Sequence, residues 1–147
     1  MDKGYNYKIS DGYLNYEFYS EGPKGRIKKG VRFTPYNTGG LTYYNLTLGD
    51  WNEERKQLDD KAISNNQDRE KILITVASLV LEFTTHFPDT YVYAQGSTPA
   101  RTRLYQMGIS SHREQIETLF YVYGYIDEKW QAFKPSINYD AFMVLKK

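Results

Sequence analysis

The stretch Gly96-Ser97-Thr98-Pro99-Ala100-Arg101-Thr102-Arg103-Leu104-Tyr105 carries the densest chemistry in the chain. The extended segment Tyr91 to Gln95 ends in a glycine and leads into a helix start. Ser97 or Thr98 can cap that helix, and Pro99 suits its first position, where the missing N–H costs nothing. A first helical turn leaves backbone N–H groups unpaired, and together with the helix dipole these attract an anion. Hydroxyls from Ser97 and Thr98, with fixed charge from Arg101 and Arg103, would complete a site for phosphate or carboxylate. The structural alternative is that Thr98 only caps the helix and the arginines pair with surface acids.

A second cluster, Lys24, Arg26, Lys28, Lys29 and Arg32, has no acid between Pro23 and Arg32. On a strand, Lys24, Arg26 and Lys28 project to one face, and with tyrosines from other strands they would grip a nucleic-acid backbone and stack its bases. Against this stands a solvated edge whose lysines prevent strand-to-strand aggregation. The acids Asp50, Glu53, Glu54, Asp59 and Asp60 match no calcium-loop spacing. Neither His86 nor His112 has a second histidine or a carboxylate at ligand spacing, so no metal site is expected. With no cysteine, disulfides, thiolate-ligated metals and thiol catalysis are excluded.

These residues need elements to position them. Residues 12–20 alternate as a strand, with Leu14, Tyr16 and Phe18 on one side. Turn chemistry at Glu21–Gly25 precedes a second strand, Arg26 to Tyr36, and Asn37–Gly40 precedes a third at 41–49. Short glycine-rich connections between three strands predict an antiparallel meander. Residues 50–63, with Trp51, Leu58 and Ile63 among charges, read as a loop with a short irregular or extended piece. Asn66 to Phe87 is helical, opened by capping oxygens in Ser64-Asn65-Asn66. It is apolar nearly all round, so it should lie centrally against the sheet. A second helix is expected from Thr98 to Met107, ending near Gly108, with a short further helix at His112–Thr118. Leu119 to Ile126 alternates strictly, with Tyr121, Tyr123 and Tyr125 on one side. Trp130–Lys134 is a further extended piece, and Tyr139–Leu145 closes the chain as a strand.

The segment Thr98 to Gly108 resembles the fourth-helix motif of the GCN5-related N-acetyltransferases, N-x-x-A-x-x-L-Y-x-x-x-G-F. The element order is similar to the core of that fold, with Tyr139–Leu145 standing where its final strand would be. The resemblance implies acyl transfer from a coenzyme A thioester, with acetyl-CoA bound beside the helix start. Tyr105 would be the general acid that protonates the departing thiolate. A V-shaped splay between the Tyr91–Gln95 strand and its neighbour, with Tyr105 facing the opening, would favour this reading, and a continuous sheet with Arg26, Lys28 and several tyrosines on one open face would favour a binding module. The chain departs from the motif at Thr98, Arg101 and Ile109, and Gly108 follows Tyr105 one position early. Where the family carries a glycine-rich pyrophosphate loop, Asn65–Lys71 has no glycine and includes Asp68 and Glu70. In addition, SEGPKGRIKK and GSTPARTRLYQ resemble an uncharacterised family of bacterial proteins.

The chain has 147 residues, the size of one ordinary domain, with 19 basic and 18 acidic residues and a net charge of +1. No bulk field therefore draws it to nucleic acid or membrane. Its start, MDKGYNYKIS, lacks the apolar core of a signal peptide, and Ile72–Phe87 is too short and polar to span a bilayer. A cytoplasmic location is expected. The 15 tyrosines suit half-buried strands and one wet sheet face. The fold class is a single α+β domain with a mixed, mostly antiparallel sheet, order β-β-β-α-β-α-β-β and an acetyltransferase-like core. The expected function is small-anion binding at Ser97–Arg103. The alternative is a nucleic-acid or protein binding module that uses Lys24–Arg32 and exposed tyrosines.

Overall fold

The computed structural model describes residues 4–10, 12–62 and 64–147, so Met1–Lys3 at the start, Asp11, and Ile63 in the charged segment lie outside the described residues. The chain forms β1 (Lys8–Ser10), β2 (Asn15–Gly22), β3 (Gly25–Thr38), β4 (Leu41–Asn52), β5 (Gln57–Asp59), α1 (Arg69–His86), β6 (Tyr91–Ala94), α2 (Pro99–Ser111), α3 (Arg113–Leu119), β7 (Phe120–Ile126), β8 (Lys129–Ala132) and β9 (Ala141–Lys146). One mixed sheet runs β1-β2-β3-β4-β6-β9-β7-β8, with β5 paired to β4 off that path. Every pairing is antiparallel except β4 with β6, which needs a crossover, and α1 supplies it. The α+β class and the β2-β3-β4 meander are as the alternation predicts.

Four details differ from the sequence reading. The charged stretch after Gly49 is a hairpin: β4 continues to Asn52 and pairs with β5 at Asp50↔Asp59 and Trp51↔Leu58. β1 is added at the β2 edge. α1 begins at Arg69, because Asn66 does not cap it. Asn66 is buried: its Oδ1 accepts from the Lys24 N–H at 2.8 Å, and its Nδ2 donates to the Gly25 carbonyl at 2.9 Å. α2 runs through Gly108 to Ser111. A Cβ on Gly108 would stand 2.9 Å from Leu73 Cδ1, so this glycine lets α2 approach α1 closely and does not end the helix.

The core forms because alternate strand residues meet the broad apolar surface of α1. Tyr16, Phe18, Val31, Phe33, Leu46 and Val92 face Leu79, Val80 and Phe83, and the Phe33 and Phe83 rings stack with centroids 4.0 Å apart. Full burial of each such side chain stabilises the fold by about 1.5–3 kcal/mol. The opposite sheet face carries tyrosines. Tyr36 and Tyr43 stack at 5.7 Å, Tyr93 lies 5.7 Å from Tyr43, and Tyr121 alternates outward from buried Phe120 and Val122. Among the described residues, no helix is long and apolar enough to cross a membrane.

Candidate ligand cleft at the strand fork

β4 pairs with β6 only from Tyr43↔Tyr91 to Leu46↔Ala94, after which β4 runs on to Asn52 while the other chain turns away towards α2. Beside this fork lies a cleft of about 810 Å³. Its walls are Leu48–Asp50 of β4, the segment preceding α1, and Thr98, Ala100, Arg101, Leu104 and Tyr105 from α2. Tyr105 lines the space beside the end of this parallel pair.

Local chemistry fixes the helix start. Thr98 is extended and its Oγ1 accepts from the Arg101 N–H at 3.2 Å, with Pro99 at the first position, as the sequence predicts. Gly96 packs so closely that a Cβ there would lie 2.4 Å from Thr102 N. The chain leaving β5 straps across the fork. Ser97 Oγ donates to the Asp60 carbonyl at 2.7 Å, and the Arg101 guanidinium donates to the Ala62 carbonyl. Arg103 is exposed and does not line the cleft. Two positions along a helix is about 200° of rotation, so Arg101 and Arg103 cannot share one ligand face. Ser97 likewise spends its hydroxyl on the strap and stays outside the cleft wall.

The charges around the cleft are unequal in availability. Among the described residues, Lys61, Arg69 and Arg101 form no ion pair, and Arg101 donates to a carbonyl instead of a carboxylate. The acids on the rim are engaged instead. Asp50 pairs with Lys29, whose Nζ also donates to Ser64 Oγ at 2.6 Å. Asp68 accepts from Tyr5 Oη at 2.6 Å and Ser20 Oγ at 2.5 Å. Glu70 Oε1 lies 3.4 Å from His112 Nε2. Burial pushes the Tyr105 phenol up to about 12, against the opposing pull of Arg101, so the group remains a proton donor throughout the neutral range. Its hydroxyl makes no hydrogen bond among the described residues.

The basic strand is arranged differently. Arg26 lies 3.6 Å from Glu21 and over the Tyr19 ring; Lys28 lies 3.0 Å from Glu17 and over Trp51. Arg32 Nε donates to Asn15 Oδ1 at 3.0 Å, and Lys24 sits exposed in the turn. Lys29 does not join them. It follows the parity of Val31 and Phe33 onto the helix-covered face and is buried with Asp50. His86 stacks on Tyr13 at 3.7 Å, and no group of three or more His, Cys, Asp or Glu suited to a metal occurs among the described residues. Lys61, Arg69 and Ser64 are cleft residues the sequence reading missed. They fall in a segment without periodicity, and only the fork brings them to α2.

The chain matches, over residues 1–147, a family of unknown function (DUF6934) and belongs to it. No curated protein and no solved structure matches the chain.

Proposed function

We propose that the fork cleft binds a small anionic acyl thioester, acetyl-coenzyme A being the first candidate, and that Tyr105 serves as the proton donor to its sulfur. One observation carries the reading: among the described residues, three cations without an ion pair, from three segments, and a phenol without a hydrogen bond line the same cleft. The element order, the end of the β4–β6 pairing and the Thr98–Gly108 segment support the likeness to an acetyltransferase core. In such a transfer an acceptor amine attacks the thioester carbonyl carbon, a C–N bond forms and the C–S bond breaks. The departing sulfur takes the Tyr105 proton, and the proton lost by the amine passes to water and later restores the phenol. Arg101, Lys61 and Arg69 would hold the phosphates in place of the absent glycine-rich loop.

Calorimetric titration with acetyl-coenzyme A tests this. Micromolar binding that weakens at least tenfold in Arg101→Ala, and little in Arg103→Ala, is the expected result. No heat at millimolar ligand would overturn it. Single-stranded RNA titrated in parallel, with Lys24→Ala/Arg32→Ala as the variant, examines the nucleic-acid alternative.

A further inference from the structure

Next to the cleft lies an apolar cavity of about 110 Å³, roofed by α1, α2 and α3 and floored by the inner face of β4, β6 and β9. Leu46, Ile74, Val80, Ile109 and Phe142 are among its walls. Leu73 and Tyr105 line both spaces, so the cavity and the cleft adjoin at the Tyr105 side chain. We propose that this cavity takes the aliphatic chain of the ligand whose head occupies the cleft, so that the preferred substrate is a straight-chain acyl thioester longer than acetyl. This rests on the cleft being the ligand site, and it adds the substrate class.

Three features carry the inference. An unfilled apolar cavity costs stability in proportion to its volume, so a void placed against a polar cleft suits an occupant that enters from that cleft. On the scale where about 150 Å³ holds benzene, the volume admits about four carbons in an unbranched chain. The chemistry also changes along the path. The cleft walls carry Lys61, Arg69 and Arg101, whereas among the described residues the polar side chains of the cavity wall are only Tyr105, at the junction, and His112, whose Nε2 lies 3.4 Å from Glu70 Oε1. A carbonyl placed at Tyr105 would have a hydroxyl donor beside it, a charged head on one side and apolar walls on the other.

The test is a calorimetric series of acetyl-, butanoyl-, hexanoyl- and octanoyl-coenzyme A, with butanoate and hexanoate as head-group controls. Affinity should rise about fourfold per added methylene from acetyl until the cavity is filled, then level or fall. Ala77→Leu, which fills the cavity from α1, should abolish the gain while acetyl-coenzyme A binds as before. Val92→Ile, one methylene larger from β6, should reduce it, and serves if Ala77→Leu does not fold. Affinity that is flat with chain length overturns the cavity inference and leaves the coenzyme reading intact. A chain-length gain among free carboxylates without any thioester binding upholds the cavity and overturns the coenzyme reading. No binding of either series overturns both.

Discussion

In β3, Glu21 of β2 stands directly opposite Arg26, and Glu17 lies on the diagonal from Lys28. Lys29 is buried beside Asp50 on the cleft side of the sheet. Around the fork the pattern reverses: the acids Asp50 and Asp68 are engaged by Lys29, Tyr5 and Ser20, while Lys61, Arg69 and Arg101 are left without an ion pair among the described residues. The denser basic cluster in the sequence is therefore the more neutralised in space. Antiparallel register supplies acids that linear distance hides, and a fork between strands gathers cations that no sequence window contains.

The largest expected effect separates a buried pair from an exposed one. Lys29→Ala leaves Asp50 without its partner in a site where the two side chains are 9% and 17% exposed, and should cost about 3–5 kcal/mol in urea unfolding. Arg26→Ala, in a pair that is 66% and 63% exposed, should cost no more than about 1 kcal/mol. Equal costs would break the contrast between the two faces of β3.

An intermediate effect compares two glycines. A Cβ on Gly96 would lie 2.4 Å from the backbone nitrogen of Thr102, which cannot give way without moving the start of α2. Gly96→Ala should destabilise by about 1–3 kcal/mol and weaken ligand binding in the cleft. At Gly30 of β3 the nearest atom is the tip of Leu58, Cδ1 at 2.7 Å, which can rotate. Gly30→Ala should cost less in thermal melts and leave the cleft unaffected. The reverse order would show that the helix start is not the rigid part.

The smallest effect at neutral pH comes from the phenols. Burial raises Tyr105 and Tyr7 from the ordinary value of 10 to about 12 in each case, with the Glu82 hydrogen bond adding to Tyr7. The folded state therefore favours the neutral phenol. Its contribution is complete below pH 10 and is lost as pH rises through about 12. Melting temperature should fall over that window, and less steeply in Tyr105→Phe. An unchanged slope would place Tyr105 in water instead of at the junction of cleft and cavity.

Much of the scaffold was legible from periodicity. Alternation grouped Tyr16 with Phe18 in β2 and parted Tyr121 from Val122 in β7, the structure makes Tyr16, Phe18 and Val122 the core side, and the breadth of apolar surface on α1 implied its central position. The same alternation held the answer for Lys29, two positions from Val31, but the run of neighbouring charges masked it. Gly108 reads in sequence as a stop and acts in the fold as a contact with Leu73. Asn66 reads as a cap and instead pins the β2–β3 turn. In the site, Thr98, Arg101 and Tyr105 were legible because one helix start carries them. Lys61, Arg69 and the cavity walls were not, since their placement depends on where β4 parts from β6.

The most direct test is amide chemical-shift mapping of the isotopically labelled protein during titration with a coenzyme A thioester. The account predicts perturbations concentrated at residues 64–70 and 98–105, with the outward-facing β3 amides of Arg26, Lys28 and Arg32 unmoved. Shifts that follow β3, or none at millimolar ligand, would contradict it.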